Sequence, residues 1–147
     1  MTGNRIEWNG AEGIFAAGGS HYNITGNYID RSGSAGIHLL NMHTVSCTGN
    51  VLYRNGKFQT LEENSSHCIL THCQGVTMIG NTMKLGRDDN RGGTLSPAWA
   101  LCIEGLTDCV ISGNAMHKSS MRGLIADHGG HEQLIMLQNA GRVSSEI

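Results

Sequence analysis

The sequence predicts an all-β solenoid in which short parallel strands stack coil upon coil along the whole chain. Three observations predict it: a short motif recurs five times, its first copies lie 23 residues apart, and 21 of the 147 residues are glycine. Glycine is therefore about twice as common as the usual share of about 7%. Frequent glycine favours the tight turns that short coils require.

The recurring motif is Gly-Asn, followed by any residue and then an apolar one, and its successive glycines lie 23, 23, 31 and 33 residues apart. Twenty-three residues suit three short strands and three turns, with coils stacked about 4.8 Å apart. Stacked asparagine amides are expected to form a hydrogen-bonded ladder at this corner. Its rungs are Asn4, Asn27, Asn50, Asn81 and Asn114, and a degraded sixth copy surrounds Asn139.

Each coil is predicted to contribute three strands, whose inward residues stack in apolar columns. Alternation along a strand sends the intervening residues outward. Two extra residues are placed around Gly129-Gly130 to align the last coil. The predicted inward columns are Ile14, Ile37, Cys68, Leu101 and Leu124; Ala16, Leu39, Leu70, Ile103 and Ala126; Tyr22, Val45, Val76, Cys109 and Leu134; Ile24, Cys47, Met78, Ile111 and Met136; and Ile6, Ile29, Leu52, Met83 and Met116.

One outward column is also mostly apolar, and an exposed apolar stripe is unusual on a monomer. Either a loop covers this column or it forms a subunit interface, and we favour the interface. Its predicted members are Phe15, His38, Ile69, Cys102 and Ile125.

The two longer spacings indicate loop insertions near residues 57–66 and 86–98 within a single domain, 1–147. Both insertions are polar, and they contain the acidic residues Glu62 and Asp88. Loops on a rigid scaffold often carry function, so both acids are candidate substrate-binding residues.

With its repeated Gly-Asn motif, the chain resembles the right-handed parallel β-helix family, the pectate-lyase-like or parallel β-helix repeat proteins, over nearly its whole length. The resemblance implies a solenoid of about five to six coils and a polysaccharide ligand. Viral tail spikes of this fold, which bind and cut bacterial surface glycans, are commonly trimers. The chain begins inside a repeat, so we expect it to be the C-terminal part of a longer helix, without its own N-terminal cap.

Composition excludes several other classes of partner. Only 15% of residues are charged and the net charge is −2, so there is no basic footprint for nucleic acid. No apolar run is long enough to span a membrane. The five cysteines have neither disulfide-framework nor zinc-site spacing and are expected to be reduced and buried. No metal or cofactor is predicted.

A candidate catalytic pair lies at the end of one predicted strand column. Glu104 and Asp127 are placed on adjacent coils, with His72 and His128 in the following column. Carboxyl groups about 5–5.5 Å apart are typical of retaining glycosidases, which use one as acid and the other as nucleophile. The alternative is a solvated face on which two acids happen to stack.

Candidate substrate-binding residues follow the Gly-Asn motif. Asp30 lies beside Arg31, and Arg54 occupies the same column as Arg31 one coil on. This group could hold an anionic sugar, or it could be an ordinary polar face with cross-strand charge pairs. Trp99 is a further candidate, since aromatic rings stack on sugar rings.

We therefore expect a trimeric β-helix module of a tail-spike-type protein that recognises bacterial surface polysaccharide and, if catalytic, cleaves it as a glycoside hydrolase. One alternative is a non-catalytic capping, trimerisation or carbohydrate-binding module of a longer enzyme that supplies the cap. Another is a polysaccharide lyase or uronate epimerase. The expected location is a virion tail, or alternatively a secreted bacterial protein.

Overall fold

The computed structural model describes residues 1–56, 65–85 and 97–143, which form sixteen short strands and no helix. The candidates Glu62 and Asp88 lie outside these residues. The strands are β1 (Arg5–Glu7), β2 (Ile14–Ala17), β3 (Ser20–Thr25), β4 (Tyr28–Asp30), β5 (Ile37–Leu40), β6 (His43–Thr48), β7 (Val51–Tyr53), β8 (Ser66–Thr71), β9 (Gln74–Ile79), β10 (Thr82–Lys84), β11 (Trp99–Glu104), β12 (Thr107–Ser112), β13 (Ala115–His117), β14 (Gly123–Asp127), β15 (Glu132–Leu137) and β16 (Ala140–Arg142).

The strands form three parallel sheets, because each strand pairs with the strand three places before it in the chain. Sheet I has the order β1-β4-β7-β10-β13-β16, sheet II the order β2-β5-β8-β11-β14, and sheet III the order β3-β6-β9-β12-β15. Each coil therefore passes through sheets I, II and III in turn. This architecture is the parallel β-helix that the repeat predicts.

Most of the predicted inward residues form one continuous core, but Tyr22 and Met136, on the first and last strands of sheet III, are 46% and 37% exposed because no further described coil covers them. Ile29, Leu52 and Met83 stack in sheet I, in the register that the motif sets. All three are at most 1% exposed. Equivalent columns from sheets II and III join the same cluster of buried side chains. Because a coil is only three strands wide, these few columns supply nearly all the apolar burial that stabilises the fold.

The last coil differs from the predicted alignment. Leu101 pairs with Ile125 rather than Leu124, so the register in sheet II advances by 24 residues instead of 23. In sheet III, Cys109 pairs with Leu134, as predicted. The two extra residues are therefore divided between the turns before and after β14. A slip of one residue exchanges the inward and outward faces of a strand.

The asparagine ladder is confirmed, and it extends to a sixth rung. The backbone N–H and side-chain amide of Asn50 both donate to Oδ1 of Asn81, at 3.0 and 2.9 Å. Asn81 donates to Asn114 in the same way, and Asn114 to Asn139. The Nδ2 of Asn81 also donates to the Cys47 carbonyl at 3.0 Å. The ladder satisfies buried polar groups at this corner, which would otherwise be costly.

Left-handed backbone also recurs in columns. Trp8, Arg31, Arg54 and Lys118, all with positive φ, each directly follow a sheet I strand, and the first three stack on successive coils. Asn41 and His72 share a second such column after sheet II. Non-glycine residues seldom adopt this conformation, and the stacking of identical turns holds them in it.

The outward apolar column of sheet II is mostly buried within the chain, contrary to the exposed stripe expected. Ile69 is 4% exposed and Cys102 is 5% exposed, and both pack in a cluster with Ala126. Ala126 takes the place predicted for Ile125, because of the register slip. Phe15 alone remains strongly exposed, at 55%. This column therefore offers little surface for an interface between subunits.

Within the described part of the chain, no helix has the length and apolar character that a membrane crossing requires.

Candidate functional site

The two predicted catalytic acids are not directly opposite each other. Glu104, at the end of β11, pairs with Thr71 on one side. On the other side it is Ile103, not Glu104, that pairs with Asp127. The pair is thus one residue out of register, because the extra residue before β14 moves Asp127 along its strand. Both acids remain exposed on neighbouring coils.

Asp127 is held in its ionised form by His131. The Nε2 of His131 lies 2.7 Å from Oδ1 of Asp127, and the backbone N–H of Gly129 donates to the same oxygen at 2.8 Å. Because Nδ1 of His131 accepts from the N–H of Leu106 at 3.1 Å, Nε2 is the nitrogen that carries the proton. The hydrogen bond from His131 is the main cause of the lowered pKa of Asp127. An ionised carboxylate suits a nucleophile or base, not an acid.

The predicted histidines do not share a column. His72 packs over Gly105 of the next coil, where an added Cβ would lie 2.3 Å from its Nδ1. The backbone N–H of Gly105 bonds to the carbonyl of Gly129, so Gly130 takes the place expected for His128, as Gly129 precedes it in the same way that Glu104 precedes Gly105. His128 is exposed to one side of this column. His131, which the sequence did not single out, is the histidine that contacts Asp127.

Asp30 is completely buried although it points outward from sheet I. The guanidinium of Arg54 bonds both of its carboxylate oxygens, and Arg31 Nη1 bonds Oδ2 at 2.6 Å. A buried carboxylate that accepts these charge-assisted hydrogen bonds has no surface left for a ligand. Asp30 therefore positions the two arginines; it is not a direct sugar contact.

Three arginines lie over aromatic rings on the outer face of sheet I. The guanidinium carbon lies 4.1 Å from the ring centroid for Arg54 over Tyr53 and 4.4 Å for Arg31 over Trp8. For Arg5 over Tyr28 the distance is 5.0 Å. Arg5 also bonds Glu7 at 2.8 Å. These contacts fix the orientations of rings that would otherwise move freely at a surface.

A groove of about 220 Å³ opens on this face, between the fixed rings. Val51, which lines the groove, is 40% exposed, although it lies on one of the middle coils. The surface of this groove is apolar, which suits the apolar face of a ligand. The lining residues are Tyr28, Val51, Leu52, Tyr53, Thr82 and Lys84.

Sequence reasoning did not identify this groove. The missing signal was the neighbouring outward column of Tyr28, Val51 and Thr82, which are aligned by the same register. Trp99 is not part of it. Trp99 is half-buried on sheet II, where it packs against Ile69 and Cys102 and over Gly123.

Among residues 1–56, 65–85 and 97–143, no group of three histidine, cysteine, aspartate or glutamate side chains is placed to hold a metal ion.

Comparison with known proteins gives one family. A family model described as "right handed beta helix region" matches residues 1–82, which is more than half of the chain. No curated protein and no solved structure matches the chain.

Proposed function

Because the chain belongs to the right-handed β-helix family, we propose that it is a polysaccharide-recognition module of the tail-spike type, and that it binds bacterial surface glycan on the outer face of sheet I. The observation that carries this proposal is the groove between Tyr28 and Tyr53. A pyranose ring has one largely apolar face and a rim of hydroxyl groups. The tyrosine rings match the apolar face.

Besides the shape of the groove, the fixed orientation of the two tyrosine rings supports binding. Arg5 and Arg54 each cover part of a tyrosine ring, so the rings lose little conformational freedom when a ligand arrives. Preorganised side chains reduce the entropy cost of binding. A shallow groove on a straight solenoid also suits a long polymer, because neither end of the groove needs to close.

Binding is tested with the purified chain and a panel of bacterial capsular and O-antigen polysaccharides, by isothermal titration calorimetry. We expect at least one polysaccharide to bind, and Tyr28→Ala to weaken its binding at least tenfold. The matched control is Phe15→Ala, which removes an exposed ring on sheet II and should change affinity less than twofold. The proposal is wrong if no polysaccharide of the panel binds, or if the two variants bind alike.

Hydrolysis of the bound glycan is a second candidate function, and the ionised Asp127 beside the coil of Glu104 favours it. Glu104 would protonate the glycosidic oxygen while Asp127 attacks the anomeric carbon or activates the water that does so. Water then supplies the hydroxyl of the new reducing end. The two acids lie at the corner between sheets II and III. A polymer bound to sheet I would therefore have to extend around the coil to reach them.

Hydrolysis predicts new reducing ends when the chain is incubated with a bound polysaccharide. Glu104→Gln should abolish this release, since an amide cannot donate the proton, while Glu132→Gln should leave it unchanged. Release that survives in Glu104→Gln would contradict the assignment. A product absorbing as an unsaturated uronate would instead identify a lyase, for which Lys84, His117, Arg31 and Arg54 on sheet I are the available groups.

The proposed setting is a homotrimer in a virion tail, with a secreted bacterial protein as the alternative. A module without catalysis, which caps or trimerises a longer enzyme, remains the competing proposal. The reducing-end assay distinguishes a hydrolytic module from this one, because a module without catalysis releases no product.

A further inference from the structure

Two of the twelve asparagines precede a glycine, and both lie at the same corner of the solenoid. Asn9-Gly10 follows β1 and Asn55-Gly56 follows β7, in the turns from sheet I to sheet II. Strand β1 pairs with β4, and β4 with β7, in a register that places Asn9 and Asn55 at equivalent positions two coils apart. The chain therefore presents the same dipeptide in two structural settings.

An asparagine before a glycine can lose its side-chain amide without an enzyme. The backbone nitrogen of the glycine gives up its proton and attacks Cγ of the asparagine, and ammonia leaves as a cyclic imide closes. Water then opens the imide at either carbonyl, which gives aspartate or isoaspartate. Glycine favours ring closure because it has no Cβ to obstruct it. In a folded protein the rate therefore depends on how firmly the backbone nitrogen and the side-chain amide are held.

The fold holds Asn55 and Gly56 firmly. Asn55 is completely buried, its Oδ1 accepts from the N–H of Ser32 at 3.1 Å, and its Nδ2 donates to the carbonyl of Ile29 at 3.2 Å. The backbone N–H of Gly56, which would have to lose its proton, donates to the carbonyl of Ser34 at 2.8 Å. Ring closure at this pair would break all of these hydrogen bonds in a buried corner.

The described part of the chain places no such restraints on Asn9 and Gly10. Gly10 is exposed, an added Cβ there would meet no atom within 4 Å, and its N–H donates to no described backbone carbonyl. Nδ2 of Asn9 is buried without a hydrogen-bond partner among the described residues, so loss of ammonia removes an unsatisfied donor. The groups that hold Asn55 belong to the preceding coil, and no described coil precedes that of Asn9.

One hydrogen bond at Asn9 favours the reaction. The N–H of Gly33 donates to the backbone carbonyl of Asn9 at 2.8 Å, and this carbonyl belongs to the same peptide unit as the nitrogen of Gly10. When that nitrogen loses its proton, resonance places part of the negative charge on the carbonyl oxygen. A donor to this oxygen stabilises the anion that attacks Cγ. No described backbone N–H donates to the corresponding carbonyl of Asn55.

We propose that Asn9 is a site of spontaneous deamidation, at which the folded chain converts asparagine to aspartate or isoaspartate, and that the fold protects Asn55 from the same reaction. The conversion consumes one water and releases one ammonia, and it needs no other reactant. It is independent of the proposed glycan binding. Its product adds a negative charge at the corner between sheets I and II, directly after Trp8.

The test follows both asparagines in one sample. The folded chain is incubated at neutral pH, and mass spectrometry of its peptides measures the conversion of Asn9 and Asn55 over time, with electron-transfer fragmentation to distinguish isoaspartate from aspartate. We expect Asn9 to convert at least tenfold faster than Asn55. In guanidinium, where neither pair is held by the fold, the two rates should agree within about threefold.

Gly10→Ala tests ring closure itself. The added methyl group would meet no neighbouring atom, and Gly10 does not have positive φ, so the variant should fold while conversion of Asn9 slows at least tenfold. The matched control is Ala11→Ser, which changes the next exposed residue and keeps the Asn-Gly pair. Its rate should stay within twofold of that of the unmodified chain.

The proposal is overturned if Asn9 stays intact in the folded chain, if Asn9 and Asn55 convert there at the same rate, or if Gly10→Ala reacts as fast as Ala11→Ser. A tenfold difference that persists in guanidinium would also overturn it, because the neighbouring sequence and not the fold would then set the two rates.

Discussion

At the scale of single residues, His67 is a histidine that the fold keeps neutral. It begins β8 next to Ser66 and is fully buried. Its Nε2 donates to the Ser119 carbonyl at 3.0 Å, and its Nδ1 accepts from the Asn55 amide at 3.3 Å. Burial lowers the pKa of His67 to about 3, because the charged imidazolium would lose its hydration.

This histidine makes stability depend on pH. In the unfolded chain His67 has its ordinary pKa of about 6.5, so as pH falls below that value the unfolded state binds the proton first. The stability that neutral His67 contributes is complete above pH 6.5 and is lost as pH falls toward 3, at up to about 1.4 kcal/mol per pH unit. Urea unfolding from pH 7.5 to 4.5 should show this decline. His67→Gln should have a lower free energy of unfolding at neutral pH, but that free energy should fall less on acidification.

The exposed His21 supplies the control for this prediction. His21→Gln should keep the acid dependence of the unmodified chain, because the His21 side chain is exposed and touches none of the groups around His67. If the free energy of unfolding fell equally with pH in His67→Gln and in the unmodified chain, His67 would not be the cause of the decline.

At the scale of elements, the Gly-Asn corner links sheet III to sheet I in every coil. Each rung after Asn4 accepts two hydrogen bonds at Oδ1 from the preceding coil, and inner rungs also donate to a backbone carbonyl. Because the rungs are buried, losing one leaves several polar groups without a partner at once. The corner is therefore the element at which one substitution affects three coils.

Asn81→Ala removes an inner rung. The N–H and Nδ2 of Asn50 lose their acceptor, and the Cys47 carbonyl loses a donor. We expect the free energy of unfolding to fall by about 3–5 kcal/mol. Asn4→Ala, at the exposed first rung, should cost about 1 kcal/mol. Urea denaturation measures both, and similar losses would show that burial of the ladder does not decide its contribution.

The repeat made these elements predictable, and it also explains the error in the last coil. The motif marks only one of the three corners, so it sets the register of sheet I directly. Extra residues in the unmarked turns around β14 can be divided in more than one way, since each division keeps some apolar residues inward. The choice of Leu124 or Ile125 as the partner of Leu101 depends on packing, and no motif reports it.

At the scale of the whole molecule, apolar surface is exposed on a different sheet from the one predicted. The sheet II column is largely covered, whereas Ile79, Ile135 and Leu137 are 39%, 50% and 58% exposed on the outer face of sheet III. Ile135 pairs with Val110, so these two residues and Leu137 form one apolar patch on the last two coils, while polar Ser112 separates Leu137 from Ile79. Contiguous apolar patches of this kind often mark contacts between chains.

The trimer stays a prediction, and this patch is the surface we expect it to use. Light scattering should give a mass three times 15.7 kDa. Ile135→Glu should reduce the mass to that of one chain, because a charge cannot be buried unpaired at an interface, while Phe15→Glu should not. A monomer over a wide range of concentration would contradict the prediction.

The sequence by itself determined the fold, the coil period, the asparagine ladder and most core columns, because these follow from local repetition: a residue's environment in one coil is nearly that of its equivalent in the next. It also brought Asp30, Arg31 and Arg54 together, since they share a register. Only the tertiary structure decided that Asp30 is buried and fully bonded by the two arginines, and that Tyr28 and Tyr53 border a groove. It also decided that Asp127 bonds to His131 and pairs with Ile103 instead of Glu104. Those outcomes depend on side-chain direction and on unmarked turns, where one residue more or less changes which groups face each other.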